Sequence, residues 1–216
     1  MNITIAEEVL LLAYSEDEGK LLIGGTQVDA ALGGAILAEL ALLGRIAFVD
    51  KKVVVQDATP VDDEELNDAL TRIAEDKKTR KPDWWVYKLH SWKLRKRLLT
   101  RLADRGVLGE EQVKIMGLFP STRYPERNPS VELAVRERVQ NVLSGADPDE
   151  RVAVLVAVLV GCQLVRKVFP DASKARLKEI TEGDWAGEAV KNTIASINAV
   201  VITAVTAGAI AGAASG

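Results

Sequence analysis

Apolar positions recur at spacings of three and four along most of this chain, and polar capping signals bound the periodic stretches, so the pattern predicts helices. Thr4-Ile5-Ala6-Glu7 sets a side-chain oxygen at a helix start with a carboxylate three residues on, and Val9 to Leu12 follow, giving a first helix over about 5–14. Ser15 to Lys20 reads as a turn. Thr26 or Asp29 caps a second helix through Ala30, Ile36, Leu37, Leu40 and Leu43, closed by Gly44; its Ala and Gly content calls for a close neighbour. Arg45 to Val49 and Val53 to Gln56, joined by Asp50-Lys51-Lys52, form a hairpin signal. Pro60 and Asp62 open a helix with Leu66, Leu70 and Ile73 inward. Trp85, Leu89, Trp92, Leu98 or Leu99, and Leu102 carry the period on to Gly106 as one amphipathic basic helix. Val113 to Phe119 alternates loosely before Pro120, Pro125 and Pro129, which predicts an extended ribbon and a proline-pinned loop. Ser130 caps a helix reaching Leu143. Asp147-Pro148-Asp149-Glu150 starts another over Val152 to Val168, apolar nearly all round at Val152 to Cys162 as a buried central helix should be. A short helix near Ser173 to Thr181 and a long one from Asp184 complete the chain. The expected class is mainly α: a single helical domain over residues 1–216 with a buried apolar helix core, surrounding amphipathic helices and one or two small β-hairpins.

Composition narrows the chemistry. With 216 residues, 48% of them hydrophobic, the chain can bury one substantial core. One cysteine, Cys162, and one histidine, His90, exclude an intrachain disulfide and any multi-thiolate or multi-histidine metal site, so no metal or cofactor is expected. The opening MNITIAEE carries acids where a secretory signal needs basic residues, which implies a cytoplasmic location. Val152 to Cys162 is shorter than the roughly 20 residues of a spanning helix. The uncharged stretch after Lys191 is long enough, but Ser196, Asn198, Thr203 and Thr206 dilute it, and it reads as a core helix with an Ala/Gly end.

The net charge of −3 hides a division. Eleven basic residues between Lys77 and Arg105 face only Asp83 and Asp104, a net of +9, so the rest of the chain carries −12. Just upstream, Asp57 to Asp76 holds eight acids and only Arg72. The two segments either neutralise each other or leave the basic one for an anionic membrane or nucleic acid.

No G-x-S-x-G, H-E-x-x-H, Walker A or G-x-G-x-x-G pattern occurs, and the pairs Gly24-Gly25 and Gly33-Gly34 lack phosphate-loop spacing. Glu64-Glu65 and Glu110-Glu111 read as acids at helix starts, His90 as a structural histidine and Cys162 as an inert buried thiol. No catalytic residue is assigned, and an enzyme is not expected. The remaining features suit binding: Trp84, Trp85 and Trp92 on the basic helix, and the loop Leu118 to Arg127, combine rings and cations as lipid headgroups or nucleic acid require.

The stretch Gly33-Gly34-Ala35-Ile36-Leu37-Ala38-Glu39-Leu40-Ala41-Leu42-Leu43-Gly44-Arg45-Ile46 resembles the early helix of the Golgi phosphoprotein 3 family. The register continues in Lys88-Leu89-His90, Arg105-Gly106-Val107-Leu108, Leu118-Phe119-Pro120 and Asp147-Pro148, so the resemblance covers about residues 3–205. It implies a largely helical domain with a protruding β-hairpin, and a non-enzymatic peripheral membrane protein that binds phosphatidylinositol 4-phosphate and helps retain glycosyltransferases. The long basic N-terminal tail of the eukaryotic members has no counterpart here, so the resemblance is to the bacterial kind. By position, the family's pocket tryptophan falls on Gly24, its first arginine on Gly33, and its later basic pair on Leu133 and Arg136. Only Arg136 keeps the charge, with Arg138, Arg123 and Arg127 as substitutes for the headgroup site. The family's self-association hairpin corresponds to Val113 to Arg123, which implies a homo-oligomer. The expected partner is an anionic phospholipid or phosphoinositide surface at the cytoplasmic face of a membrane. The alternatives are a nucleic-acid binder using residues 85–105 and a protein adaptor with no lipid ligand.

Overall fold

A computed structural model describes residues 3–115, 118–183 and 187–213. Among these the chain forms ten helices and two separate antiparallel strand pairs, a mainly α fold. In order they are α1 (Ile5–Ala13), α2 (Gly25–Leu42), β1 (Ile46–Val49), β2 (Lys52–Val55), α3 (Glu64–Glu75), α4 (Pro82–Leu89), α5 (Trp92–Asp104), β3 (Glu111–Ile115), β4 (Phe119–Arg123), α6 (Pro129–Leu143), α7 (Glu150–Gly161), α8 (Val165–Val168), α9 (Lys174–Glu182) and α10 (Glu188–Ala213).

Local sequence explains most boundaries. Thr4 and Glu7 close the capping box on α1: the Glu7 amide donates to Thr4 Oγ1 at 3.3 Å, and the Thr4 amide to Glu7 Oε2 at 2.9 Å. Asp63 caps α3 and Asp149 caps α7 by accepting from the amide three residues on. Five expectations need correction. The basic segment is two helices, not one, because Ser91 Oγ accepts from the Leu94 amide at 3.1 Å and starts a new helix in an extended residue. The buried helix stops at Gly161, where Gln163 turns left-handed (φ 64°) and the Leu164 amide reaches back to the Leu159 carbonyl at 2.9 Å, so Val165–Val168 is a separate turn. Helix α2 begins at Gly25 rather than at a Thr26 or Asp29 cap, with the Gln27 side chain accepting from the Gly24 amide at 2.9 Å. Asn128 caps α6 with Pro129 in its first turn, two residues before the expected Ser130. Glu111 opens strand β3, so the Glu110-Glu111 pair is not at a helix start. Asp184 lies outside the described residues.

The core is centred on α2, which touches α1, α3, α4, α5, α7 and α10. Helices α2 and α7 are buried on nearly every side, and α10 supplies Ile194, Ile197, Val201 and Val205 to them. Close approach is possible because glycines face Val201. A Cβ on Gly34 would lie 2.5 Å from Val201 Cγ2, and one on Gly161 would lie 2.8 Å from Val201 Cβ. The β1–β2 hairpin packs its Ile46, Phe48 and Val53 side chains into the core, and the Val53 amide bonds the Arg80 carbonyl at 2.8 Å. The β3–β4 hairpin pairs chiefly with itself, in the register Glu111 with Arg123 through Ile115 with Phe119, and its turn residue Leu118 is 78% exposed.

Candidate functional site

Any anion-reading site must use cations that the fold has not already paired, so the internal pairs come first. Burying a carboxylate without a partner costs several kcal/mol, and α1 buries two in succession, Glu7 and Glu8. Arginines converge on them from three helices. Arg101 Nε of α5 donates to Glu7 Oε1 at 2.8 Å, with Arg105 at 3.3 Å; Arg138 of α6 donates to Glu8 Oε1 at 2.7 Å. Arg151 of α7 lies 3.6 Å from Glu8, donates to Glu39 Oε1 of α2 at 2.6 Å, and donates to the Ile3 carbonyl at 2.6 Å. Glu39 Oε2 accepts from the Ile5 amide at 2.6 Å, and burial pushes the Glu39 carboxyl above its usual range against the pull of Arg151.

The same consumption applies to the basic segment. Arg97 makes a bidentate pair with Glu65 (2.5 and 2.7 Å), Arg101 also binds Asp63 at 2.8 Å, Arg80 binds Asp76 at 3.1 Å, and Arg95 donates to the Gly25 carbonyl at 2.9 Å beside Asp29. Three ion pairs, Arg97–Glu65, Arg101–Asp63 and Arg80–Asp76, therefore join the acidic stretch 57–76 to the basic stretch 77–105 and neutralise its arginines in part. Of the three tryptophans, Trp85 is buried, Trp84 is half-buried edge-on to it, and Trp92 is 59% exposed. His90 ends α4, its Nδ1 lying 2.7 Å from the Tyr87 carbonyl. Cys162 is buried, and desolvation pushes its thiol up to about 12. Among the described residues no cluster of His, Cys, Asp or Glu is arranged to hold a metal ion.

The positions carried over for the headgroup pocket fall as follows. Gly24 is exposed at the start of α2, and the next residue, Gly25, is overlaid by Arg95: a Cβ there would meet Arg95 Nη1 at 2.7 Å. Gly33 is buried more than two turns further on, where a Cβ would meet the Val86 carbonyl at 3.1 Å, so the backbone of α4 fills the space of any long side chain. Leu133 is 53% exposed on α6. Arg136, one turn along, is enclosed by acids: it binds Glu132 at 2.6 Å and Glu16 at 3.0 Å. Burial raises the Glu132 carboxyl to about 7, with Glu126 and Glu16 adding to the effect of burial and Arg136 opposing it.

The turn 15–20 connects these groups. It is docked on the strand after β4 by the Tyr124 amide to the Gly19 carbonyl (3.2 Å) and the Glu126 amide to the Glu16 carbonyl (3.3 Å). Gly19 is left-handed (φ 56°), and a Cβ there would lie 2.4 Å from the Tyr124 backbone, so only glycine permits this approach. Arg136 meets one end of the turn at Glu16. Arg123 is near the other, where it adds to the pull that Lys20 exerts in lowering the Glu18 carboxyl. Arg127 stands over Gly109 and Pro125 at the base of the β3–β4 hairpin. Arg136 and Arg123 thus meet the two ends of the 15–20 turn, Arg127 lies beside Gly109, and Arg138 pairs with α1. Arg123 and Arg127 alone of the four make no side-chain hydrogen bond or ion pair among the described residues. Sequence reading placed Arg95 in the basic helix and Tyr124 in the ring-bearing loop but missed Tyr14, whose ring packs edge-on against Tyr124 (centroids 5.9 Å); nothing in the local pattern of α1 marked it.

Comparison with known proteins adds the following. The family model for Golgi phosphoprotein 3 (GPP34) matches residues 5–197. The chain is 30% identical over 164 residues to vacuolar protein sorting-associated protein 74 of Eremothecium gossypii, an alignment covering 66% of this chain and 49% of that protein. The chain thus spans about half the length of this curated relative.

Proposed function

Because the chain belongs to the Golgi phosphoprotein 3 family, we propose that it is a non-enzymatic peripheral membrane protein that attaches to the cytoplasmic face of a membrane by reading anionic headgroups. Arg123 and Arg127 are the contacting cations in this reading. One observation carries it: these two arginines keep their guanidinium groups unpaired among the described residues, at the base of a hairpin whose turn exposes Leu118. An exposed leucine at the turn and guanidinium groups at the base, one five-residue strand away, suit the headgroup layer, where the turn enters the acyl boundary and the cations meet phosphates.

Arg136 and Arg138 are already committed to Glu132, Glu16 and Glu8, so a phosphate would have to displace a carboxylate to reach either. With glycine at 24 and 33 and leucine at 133, several charge-assisted hydrogen bonds of the family's pocket have no donor, each worth roughly 1.5–3 kcal/mol. The reading is therefore of anionic charge at the surface, not of phosphatidylinositol 4-phosphate alone. The two-stranded β3–β4 hairpin has edges that suit pairing with a second copy of the chain, which supports self-association as part of this reading.

Vesicle flotation tests this. The chain should float with phosphatidylcholine vesicles containing phosphatidylserine and equally with vesicles of matched charge containing phosphatidylinositol 4-phosphate. Raising salt should release it, because exposed pairs are screened. The double variant Arg123→Gln/Arg127→Gln should bind more weakly, and no flotation with any anionic vesicle would refute the proposal. Binding that requires phosphatidylinositol 4-phosphate would mean that a specific pocket exists despite the substitutions.

A further inference from the structure

A second surface, where α10 packs on α2, α4 and α7, carries a different combination of features. The segment Val190–Ala207 of α10 has a mean hydropathy of 1.3, yet only 33% of it is buried. Its inner face is fixed on α2 and α7 through Val201 against Gly34 and Gly161, so the helix lies along the domain. Its outer face, about 27 Å long at 1.5 Å per residue, presents Ala195, Ala199, Ile202, Thr203 and Thr206, and no charge follows Lys191 in the sequence. Two adjoining grooves of about 370 and 340 Å³ run between this face and α4, sharing Asp83 and Thr203.

Lysines frame the face. Lys51 and Lys52 stand at the β1–β2 turn, where Asp50 and Lys51 are left-handed, and Lys77, Lys78 and Lys81 precede α4. The Val53 to Arg80 backbone bond joins the two segments. All five lysines are exposed and make no ion pair among the described residues, unlike the arginines of α5. Lys51 and Lys81 line the first groove directly, and Tyr87, 69% exposed, lines the second. An uncharged helix face, the two unpaired lysines Lys51 and Lys81 on its groove beside a single Asp83, and an exposed ring are what an interfacial helix offers to an anionic bilayer. Unneutralised lysines favour that occupant over a second copy of this chain, whose matching face would be equally cationic.

We propose that the outer face of α10, framed by Lys51 and Lys81, docks on an anionic bilayer surface. The proposal rests on the membrane reading above but assigns a different contact from Arg123 and Arg127. Each lysine near such a surface contributes about a fivefold gain in partitioning. Lys51→Gln/Lys81→Gln should therefore lower partitioning onto phosphatidylserine-containing vesicles about 25-fold.

The deciding measurement is an environment-sensitive fluorophore on Thr203→Cys, which can be labelled selectively because Cys162 is buried. A matching label on Gln140→Cys of α6 is the control. The Thr203 label should shift to the blue on anionic vesicles and the Gln140 label should not. Flotation without a shift at 203 would overturn this face and leave membrane attachment intact. No flotation at all would overturn both. A shift at 203 that rises with protein concentration in the absence of vesicles would put a second copy on the face and overturn lipid docking. A shift at 203 that survives Arg123→Gln/Arg127→Gln but is lost in Lys51→Gln/Lys81→Gln would support this face and overturn the arginine contact.

Discussion

Replacing Arg151 by methionine probes the internal ion network most directly. The change keeps much of the side chain's length and removes three partners at once: Glu39 Oε1, the Ile3 carbonyl and the contact with Glu8. Glu39 is 7% exposed and would keep only the Ile5 amide, while Glu8 would keep Arg138. Breaking a buried pair from one side costs roughly 3–5 kcal/mol. Because the Arg151 side chain is 31% exposed, water can reach the vacated end, and the expected loss is about 2–3 kcal/mol. For a chain of this size that lowers Tm by about 5–10 °C.

The pH dependence gives the sharper test. Burial already holds the Glu39 carboxyl above its usual range, and losing Arg151 raises it further. A carboxyl with a raised folded pKa binds its proton more readily folded than unfolded, so its contribution favours the fold at low pH and is lost as pH rises through the folded pKa. The penalty of Arg151→Met should thus be largest near about pH 8 and smaller near about pH 5.5, measured by urea unfolding of both proteins. Adding Glu39→Gln should recover part of the loss, since the amide oxygen still accepts from Ile5. A penalty below about 1 kcal/mol, or one equal at both pH values, would refute the assignment of Arg151 as the counter-ion of a buried Glu39.

Other substitutions follow from single contacts. Glu132 has its carboxyl raised to about 7, so the native state should lose stability as pH rises from about 4.5 to that value; Glu132→Gln should flatten this slope and gain stability above it, read from unfolding midpoints. Ser91→Ala removes the cap of α5 and should cost about 1 kcal/mol in a urea titration, and an unchanged midpoint would mean that the α4–α5 break does not depend on the cap. Gly161→Ala gains helix propensity but drives a Cβ to 2.8 Å from the branch carbon of Val201; the clash should win by about 1–2 kcal/mol, and Val201→Ala, which keeps that carbon, should relieve only the Cγ1 contact at 3.0 Å and leave most of the loss in the double variant. Cys162 should react with iodoacetamide only as fast as the domain unfolds, and rapid native labelling would contradict its burial.

Helix identity was legible along the chain because caps and periodicity act within a few residues. Thr4 with Glu7, Asp149 ahead of Val152 and the all-apolar run of α7 each carry their reason locally. Boundaries were less legible where a local polar group competes with the period. Ser91 read as part of a continuous helix, and Gln163 showed no sign that it would adopt a left-handed turn. The family was legible too, since the stretch Glu39 to Arg45 keeps its pattern, and the family model extends over 5–197.

What the sequence could not show is which charges remain available. Composition and local patterning determined that cations concentrate in 77–105, which by itself pointed to an anionic partner. Only the tertiary structure decided that most of those arginines turn inward to acids, with Arg101 spending its guanidinium on Glu7, 94 positions away, and that Lys51 and Lys81 remain unpaired beside an uncovered helix. The reason is physical: a helix cap is set by neighbours along the chain, whereas an ion pair depends on distance in space and on burial, and neither exists until the helices pack.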